Sequence, residues 1–263
     1  MSNMTAPQPS WWERSVTRVF DMAGLSVQRK ASVGQQLPVE ATAEEKSIIS
    51  AVSGFTMTSP TRIWSLLQAV KYIHAWNVPG AVVECGVWRG GSMMAVALQL
   101  SELQQTDREL WLYDTYEGMT DPTERDREST TGASATALLS STEVGDGNNI
   151  WCVADETDVR RNMSSTGYPT RRMHFIKGDV AETLTRDFPA EIALLRLDTD
   201  WYESTRAELD VLYSRLVPGG VCILDDYGHW LGAREAVDEF FVENPPRPLI
   251  SPIDFSGRIF IKP

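Results

Sequence analysis

The chain has 263 residues, 42% of them hydrophobic and 23% charged, with a formal net charge of -12. A chain of this length buries a core without disulfides or a structural metal. The excess of acid excludes a nucleic-acid backbone as the main ligand and disfavours an anionic membrane surface. The cysteines, Cys85, Cys152 and Cys222, have no metal-ligand spacing and read as small apolar side chains of a reducing compartment. With neither a membrane-length apolar run nor a secretory signal, the expected location is the cytoplasm.

In chain order, residues 1–9 read as disordered. Residues 10–28 carry Trp12, Val16, Val19, Phe20 and Ala23 at helical spacing, an amphipathic helix suited to core or subunit packing. A polar linker follows, so residues 1–42 form an N-terminal helix and linker ahead of one domain over 43–263. AEEKSIISAV is a predicted helix. SPTRIWSLLQAVKYIHAW is another, with Ser59 as N-cap and Pro60 in the first turn.

Then come short apolar runs, each closed by Gly or Asp: AVVEC (81–85), LWLYD (110–114), MHFIK (173–177), IALLRLD (192–198) and GVCILD (220–225). Helical segments separate them. The alternation predicts an α/β fold, a doubly wound and mostly parallel sheet covered on both faces. PLISPI and GRIFIK are close enough in sequence to pair antiparallel at the end. Residues 116–172, polar and rich in Gly, Ser and Thr, are too long for a structureless connection. They are read as a crossover helix plus a mobile lid over the site.

The strongest local signal is AVVECGVWRGGSMMAVALQL. Gly86 allows a tight turn after the strand, Gly90 and Gly91 allow close backbone approach, and Ser92 can cap the next helix. The spacing is neither the dinucleotide fingerprint nor a P-loop. Glu84 would repel a pyrophosphate but suits an ammonium. A ligand with both an ammonium and a carboxylate is an amino acid, and S-adenosylmethionine has that end. Asp114, closing the second strand, can accept from ribose hydroxyls beyond the strand ends. Asp179, after the third, can accept from an adenine amino group.

The fourth and fifth strands run into DTDWYEST and DDYGHW. Adjacent strands would bring Asp198, Asp200, Asp225 and Asp226 to one end of the sheet, where they repel one another unless a cation is present. No Lys run supplies it. An all-oxygen set favours Mg²⁺, Ca²⁺ or Mn²⁺, and apart from His229 the zinc-type ligands are absent. Such an ion would hold and acidify a substrate hydroxyl, while a carboxylate not spent on the metal takes the proton. His229 is read as an ordinary hydrogen-bonded histidine, with a base or substrate contact as the alternative.

FTMTSPTRIWSLLQAV, VVECGVWRGGSMM, LYDTYEGM, FIKGDVAETL and the long run from LRLDTDWYEST through DDYGHW to VDEFF together resemble the macrocin O-methyltransferase family over about residues 54–262. The resemblance implies a Rossmann-like class I methyltransferase fold with a final antiparallel strand. It implies Mg²⁺-dependent methylation of a deoxysugar hydroxyl on a small-molecule natural product. It also implies Asp198, Asp225 and Asp226 as metal ligands and Asp200 as general base. Met57, Thr58, Ser59, Glu84, Gly86, Ser92, Asp114, Thr115 and Asp179 would form the S-adenosylmethionine site, and the enzyme would be a homodimer or higher homo-oligomer. A catechol or phenol acceptor and a nucleotide-dependent dehydrogenase are the alternative readings.

Overall fold

The computed structural model describes residues 37–141 and 151–263. The helix expected over 10–28 lies outside these residues. The first described helix is α1 (Ala43–Val52), followed by α2 (Pro60–Ala75), β1 (Ala81–Cys85), α3 (Gly91–Glu102) and β2 (Leu110–Asp114). The connection to β3 (Met173–Lys177) carries α4 (Ala135–Ser140) and α5 (Glu156–Ser165). Then come α6 (Val180–Thr183), β4 (Ile192–Leu197), α7 (Tyr202–Leu212), β5 (Leu216–Leu224), α8 (Leu231–Glu243), β6 (Ser251–Pro252) and β7 (Arg258–Ile261).

The seven strands form one sheet in the order β3-β2-β1-β4-β5-β7-β6. β1 to β5 pair parallel, and β7 runs antiparallel to both β5 and β6. The order reverses between β1 and β4, so a crevice opens beyond their carboxyl ends, where open α/β sheets bind ligands.

Strand alternation sorts the core into two layers. Val82, Leu110, Leu112, Leu194, Val221 and Ile223 pack with α1, α2 and α3 through Ile49, Leu67, Val70, Met93 and Val96. Val83, Cys85, Leu195, Leu197, Cys222 and Leu224 pack with α7 and α8 through Leu209, Leu212, Val237 and Phe240. The expected crossover helix is α5, whose Val159 and Met163 join the first layer. Among the described residues no helix is long and apolar enough to cross a membrane.

Helix α1 begins with a capping box in which Thr42 and Glu45 bond each other's backbone N–H. Glu45 then does more than cap. It is 2% exposed and accepts from the Trp64 indole at 3.0 Å, the Gln68 amide at 2.6 Å and the Lys71 ammonium, all on α2. Burial pushes its pKa up, but the bonds from Lys71, the Thr42 N–H, Gln68 and Trp64 outweigh it and hold the carboxyl at about 2. A depressed folded pKa adds stability above the unfolded value, lost as pH falls through the folded one. Against an unperturbed 4.5 the contribution at pH 7 is on the order of 3 kcal/mol. Glu45→Gln is therefore expected to lower the urea-unfolding free energy by about that amount at pH 7. The gap to wild type should close as pH falls from 4.5 toward 2; a gap that stays constant would contradict the clamp.

Candidate active site

The register aligns the functional residues of four strands on one face of the sheet. Glu84 pairs with Arg196 and Leu197 with Leu224. Two-residue alternation therefore continues Val82 to Glu84, Leu112 to Asp114, Leu194 through Arg196 to Asp198, and Ile223 to Asp225. Each strand is apolar on this face until its carboxyl end, then charged.

Arg196 lies at the centre and is 3% exposed. Its Nη1 donates to Glu84 and, at 2.6 Å, to Asp198 Oδ2. Its Nη2 donates to Asp225 Oδ1 at 2.6 Å and to Thr58 Oγ1 at 2.7 Å. A second guanidinium, Arg62 from α2, reaches the other oxygen of Asp225 and pairs with Asp254 at 3.1 Å. The expectation that only a metal could neutralise the acids is thus corrected, because two arginines share the task. The missed signal was a lone charge inside the apolar run IALLRLD, since a buried arginine requires acidic partners.

The arginines leave a surplus of negative charge. Asp225, held by both guanidiniums, stays below the usual carboxylate range despite its burial. Burial and neighbouring carboxylates push Asp198 and Asp226 well above it. Burial and the Asp198 charge raise Asp200 to about 7, offset in part by bonds from Asp226 and Trp230. Asp198, Asp225 and Asp226 each offer an oxygen within 4.8 Å of the others'. Asp226 Oδ2 is buried without a hydrogen-bond partner. An all-oxygen donor set with an orphaned carboxylate oxygen fits a hard divalent cation.

Asp200 sits in left-handed backbone, φ 66°, a conformation that an Asp tolerates at some cost. The turn is fixed from both sides. Thr199 donates to Glu208, a fully buried side chain on α7, at 2.9 Å. The Trp201 indole donates to the Thr120 carbonyl at 3.0 Å.

Arg62, Asp198, Asp200, Asp225 and Asp226 line a cavity of about 550 Å³. Around it Met57, Thr58, Gly86, Ser92, Asp114, Thr115 and Asp179 come together as expected. A Cβ at Gly86 would lie 1.9 Å from the Asp198 carbonyl oxygen, so only glycine admits the two strand ends. Four details differ from the sequence reading. The cap of α3 is Gly90, and Ser92 lies inside the first turn, buried and facing the cavity. Gly91 makes room for the Phe55 carbonyl, 2.5 Å from a would-be Cβ, rather than for a ligand. Ser59 is consumed as the α2 cap and donates to Asp254 at 3.0 Å, and it does not line the cavity.

Glu84 is the fourth. It lies behind the cavity wall, 1% exposed, against Arg196 rather than a ligand ammonium. Burial raises it to about 7 even so, partly offset by Arg196 and Ser92. Asp114 also has work of its own, accepting the Val87, Trp88 and Tyr116 N–H groups at 2.8, 3.0 and 2.7 Å. Asp179 caps α6 by accepting from Ala181 N–H at 2.8 Å.

Sequence reasoning also missed Asp126. Fully buried, it accepts from Thr123 N–H and from Tyr202 N–H at the start of α7, at 2.6 and 2.8 Å. A bridge between Glu128 and Trp230 fastens the same segment to the loop after Asp226. The described part of the expected lid is therefore bonded to the site walls.

The reversed β7, the glycine turn after β1 and the acid-rimmed crevice define an S-adenosylmethionine-dependent methyltransferase of the class I fold. The chain belongs to the macrocin O-methyltransferase family, whose model, Macrocin-O-methyltransferase (TylF), matches residues 9–262. It is an O-methyltransferase, and the dehydrogenase reading falls away. The 8-demethyl-8-(2,3-dimethoxy-alpha-L-rhamnosyl)-tetracenomycin-C 4'-O-methyltransferase of Streptomyces olivaceus is 34% identical over 77% of this chain and 73% of its own. The demethyldecarbamoylnovobiocin O-methyltransferase of Streptomyces niveus is 33% identical over 70% and 67%. The solved structure of the O-methyltransferase NovP superposes with a TM-score of 0.69 at 30% identity, covering 79% of this chain and 82% of that one.

Arg196→Met would strand Glu84, Asp198 and Asp225 against one another in the interior. Removing one partner of a buried ion network costs about 3–5 kcal/mol. Urea unfolding at pH 7 should show a loss of that size, and unchanged stability would refute the central place given to Arg196.

Proposed function

We propose that the protein transfers the methyl group of S-adenosylmethionine to a sugar hydroxyl of a small-molecule natural product. In this reading Asp198, Asp225 and Asp226 hold a divalent cation such as Mg²⁺, and Asp200 is the general base. The observation that carries it is the placing of these four acids in one cavity, between a glycine-turn end and an end lined by Met119, Glu128 and Leu138. The names of the Streptomyces relatives, one acting on a rhamnosyl tetracenomycin and one on a novobiocin precursor, support a sugar-bearing acceptor.

At the first end Gly86, Ser92, Thr115 and Asp179 would bind the donor, with Glu84 behind them holding Arg196 in place. When bound, a divalent cation supplies Lewis-acid polarisation of an oxygen it touches. Asp200, with a pKa of about 7, is matched to removing a hydroxyl proton at neutral pH. The acceptor oxygen bonds to the methyl carbon, the S–C electron pair remains on sulfur, and Asp200 takes the proton. The rigid Thr199–Trp201 turn keeps that carboxylate aimed, so alignment is built in before the acceptor arrives.

The same reading makes the enzyme a cytoplasmic homo-oligomer. Cys85 and Cys222, fully buried among apolar side chains, accord with a reducing compartment.

Asp200→Asn tests the proposal cleanly, because Asn tolerates left-handed backbone as well as Asp does. Turnover should fall by about 100-fold or more. The calorimetric affinity for S-adenosylhomocysteine should change by no more than about twofold, since Asp200 is not among the residues assigned to hold the donor. Wild-type turnover in the variant would remove Asp200 as base.

A further inference from the structure

At the insertion end of the cavity two polar side chains have no part in the chemistry above. Glu128 and His229 both line it, together with Met119, Leu138 and Trp230. Their backbones are locked together. Glu128 bridges Trp230, and Ser129 N–H donates to the His229 carbonyl at 2.8 Å. Ser129 Oγ donates to the Gly228 carbonyl at 2.6 Å. His229 N–H in turn donates to the Asp226 carbonyl at 2.9 Å. The two side chains are thus referenced to the proposed metal ligands through a short run of backbone.

Each has hydrogen-bonding capacity to spare. The Glu128 carboxylate accepts one hydroxyl on each oxygen, from Thr130 at 2.8 Å and from Thr131. That fixes its plane and leaves a lone pair on each oxygen unused. The His229 ring packs edge-on against Trp230, centroids 4.9 Å apart, and among the described residues it makes no hydrogen bond. An imidazole ring presents two nitrogens for hydrogen bonding. The ligand class follows from charge. Among the described residues the one cationic side chain lining the cavity is Arg62, already paired with Asp225 and Asp254. A phosphate-bearing group would meet carboxylates there without a free cation, whereas neutral hydroxyls suit an oriented carboxylate and an imidazole beside apolar surface.

We propose that Glu128 and His229 are the specificity-determining pair that grips neighbouring hydroxyls of the acceptor's sugar ring and so selects which hydroxyl faces Asp200. This rests on the sugar-methylation reading above and adds to it the residues that choose the sugar and the position.

The test uses the full chain loaded with S-adenosylhomocysteine and Mg²⁺, titrated with methyl α-L-rhamnopyranoside and followed by saturation-transfer NMR. Wild type should bind. Glu128→Gln and His229→Asn should each weaken binding by about tenfold, the loss expected for one such hydrogen bond. Glu128→Asp should recover part of it. Calorimetric affinity for S-adenosylhomocysteine should stay within about twofold in every variant, which a general collapse of the site would not allow. No detectable sugar binding by wild type, equal binding in all variants, or a parallel fall in S-adenosylhomocysteine affinity would overturn the assignment. A turnover assay on the two relatives' acceptors separates the readings. Sugar binding that depends on the pair, without methyl transfer, counts against the proposed function and leaves the pair standing.

Discussion

The site depends on one buried guanidinium. Arg196 binds Glu84 from β1, Asp198 from the end of its own strand, Asp225 from β5 and Thr58 from the loop before α2. Four chain segments distant in sequence thereby meet at one planar fork, whose geometry accepts few arrangements. Desolvating such a group is costly, and a well-packed apolar substitute would often be as stable. Its return is positional: it sets the spacing of the carboxylates at the rim of the cavity. Arg196 and Arg62 together occupy both oxygens of Asp225, and Arg196 holds one of Asp198. Among the described residues Asp226 and Asp200 have no guanidinium partner, and all four acids line the cavity.

A second layer of fixing comes from the insertion between β2 and β3. Asp126 is buried at the junction of this segment with α7 and α8, and a Cβ at Gly232 would lie 2.0 Å from its Oδ1. The segment that follows bridges to Trp230, next to the acid-bearing loop. The part of the wall that would meet the acceptor and the part that would meet the metal are therefore one bonded unit. A family can vary acceptors along such a segment while the acids on the sheet stay where the strands put them.

Much of this was readable from residues in order. The five parallel strands, the Ser59-Pro60 start of α2 and the antiparallel end follow from period-two apolar runs and from turn chemistry, which are local signals. The convergence of Asp198, Asp225 and Asp226 was readable because strand-end acids share an end in a parallel sheet. What escaped is what needs pairing information. Arg196 sits within the motif, yet its partners come from three other segments, so the charge balance was assigned to a metal alone. Glu84 was read as ligand-facing because a strand-end acid looks the same whether it points at solvent, ligand or a neighbouring strand's arginine. Ser92 and Ser59 are both sound cap candidates, and only the backbone turn at Gly90 decides that one caps and the other does not. Asp126 and Glu128 lie in a polar stretch where no periodicity singles them out.

The central claim is that the rim holds more negative charge than Arg196 and Arg62 neutralise, and that a divalent ion completes it. Titration with Mn²⁺ followed by electron paramagnetic resonance measures this without any acceptor. The account predicts saturable binding of one ion per chain in wild type and its loss in Asp226→Asn, which alters the carboxylate whose Oδ2 has no hydrogen-bond partner. No saturable binding in wild type, or equal binding in the variant, would contradict it.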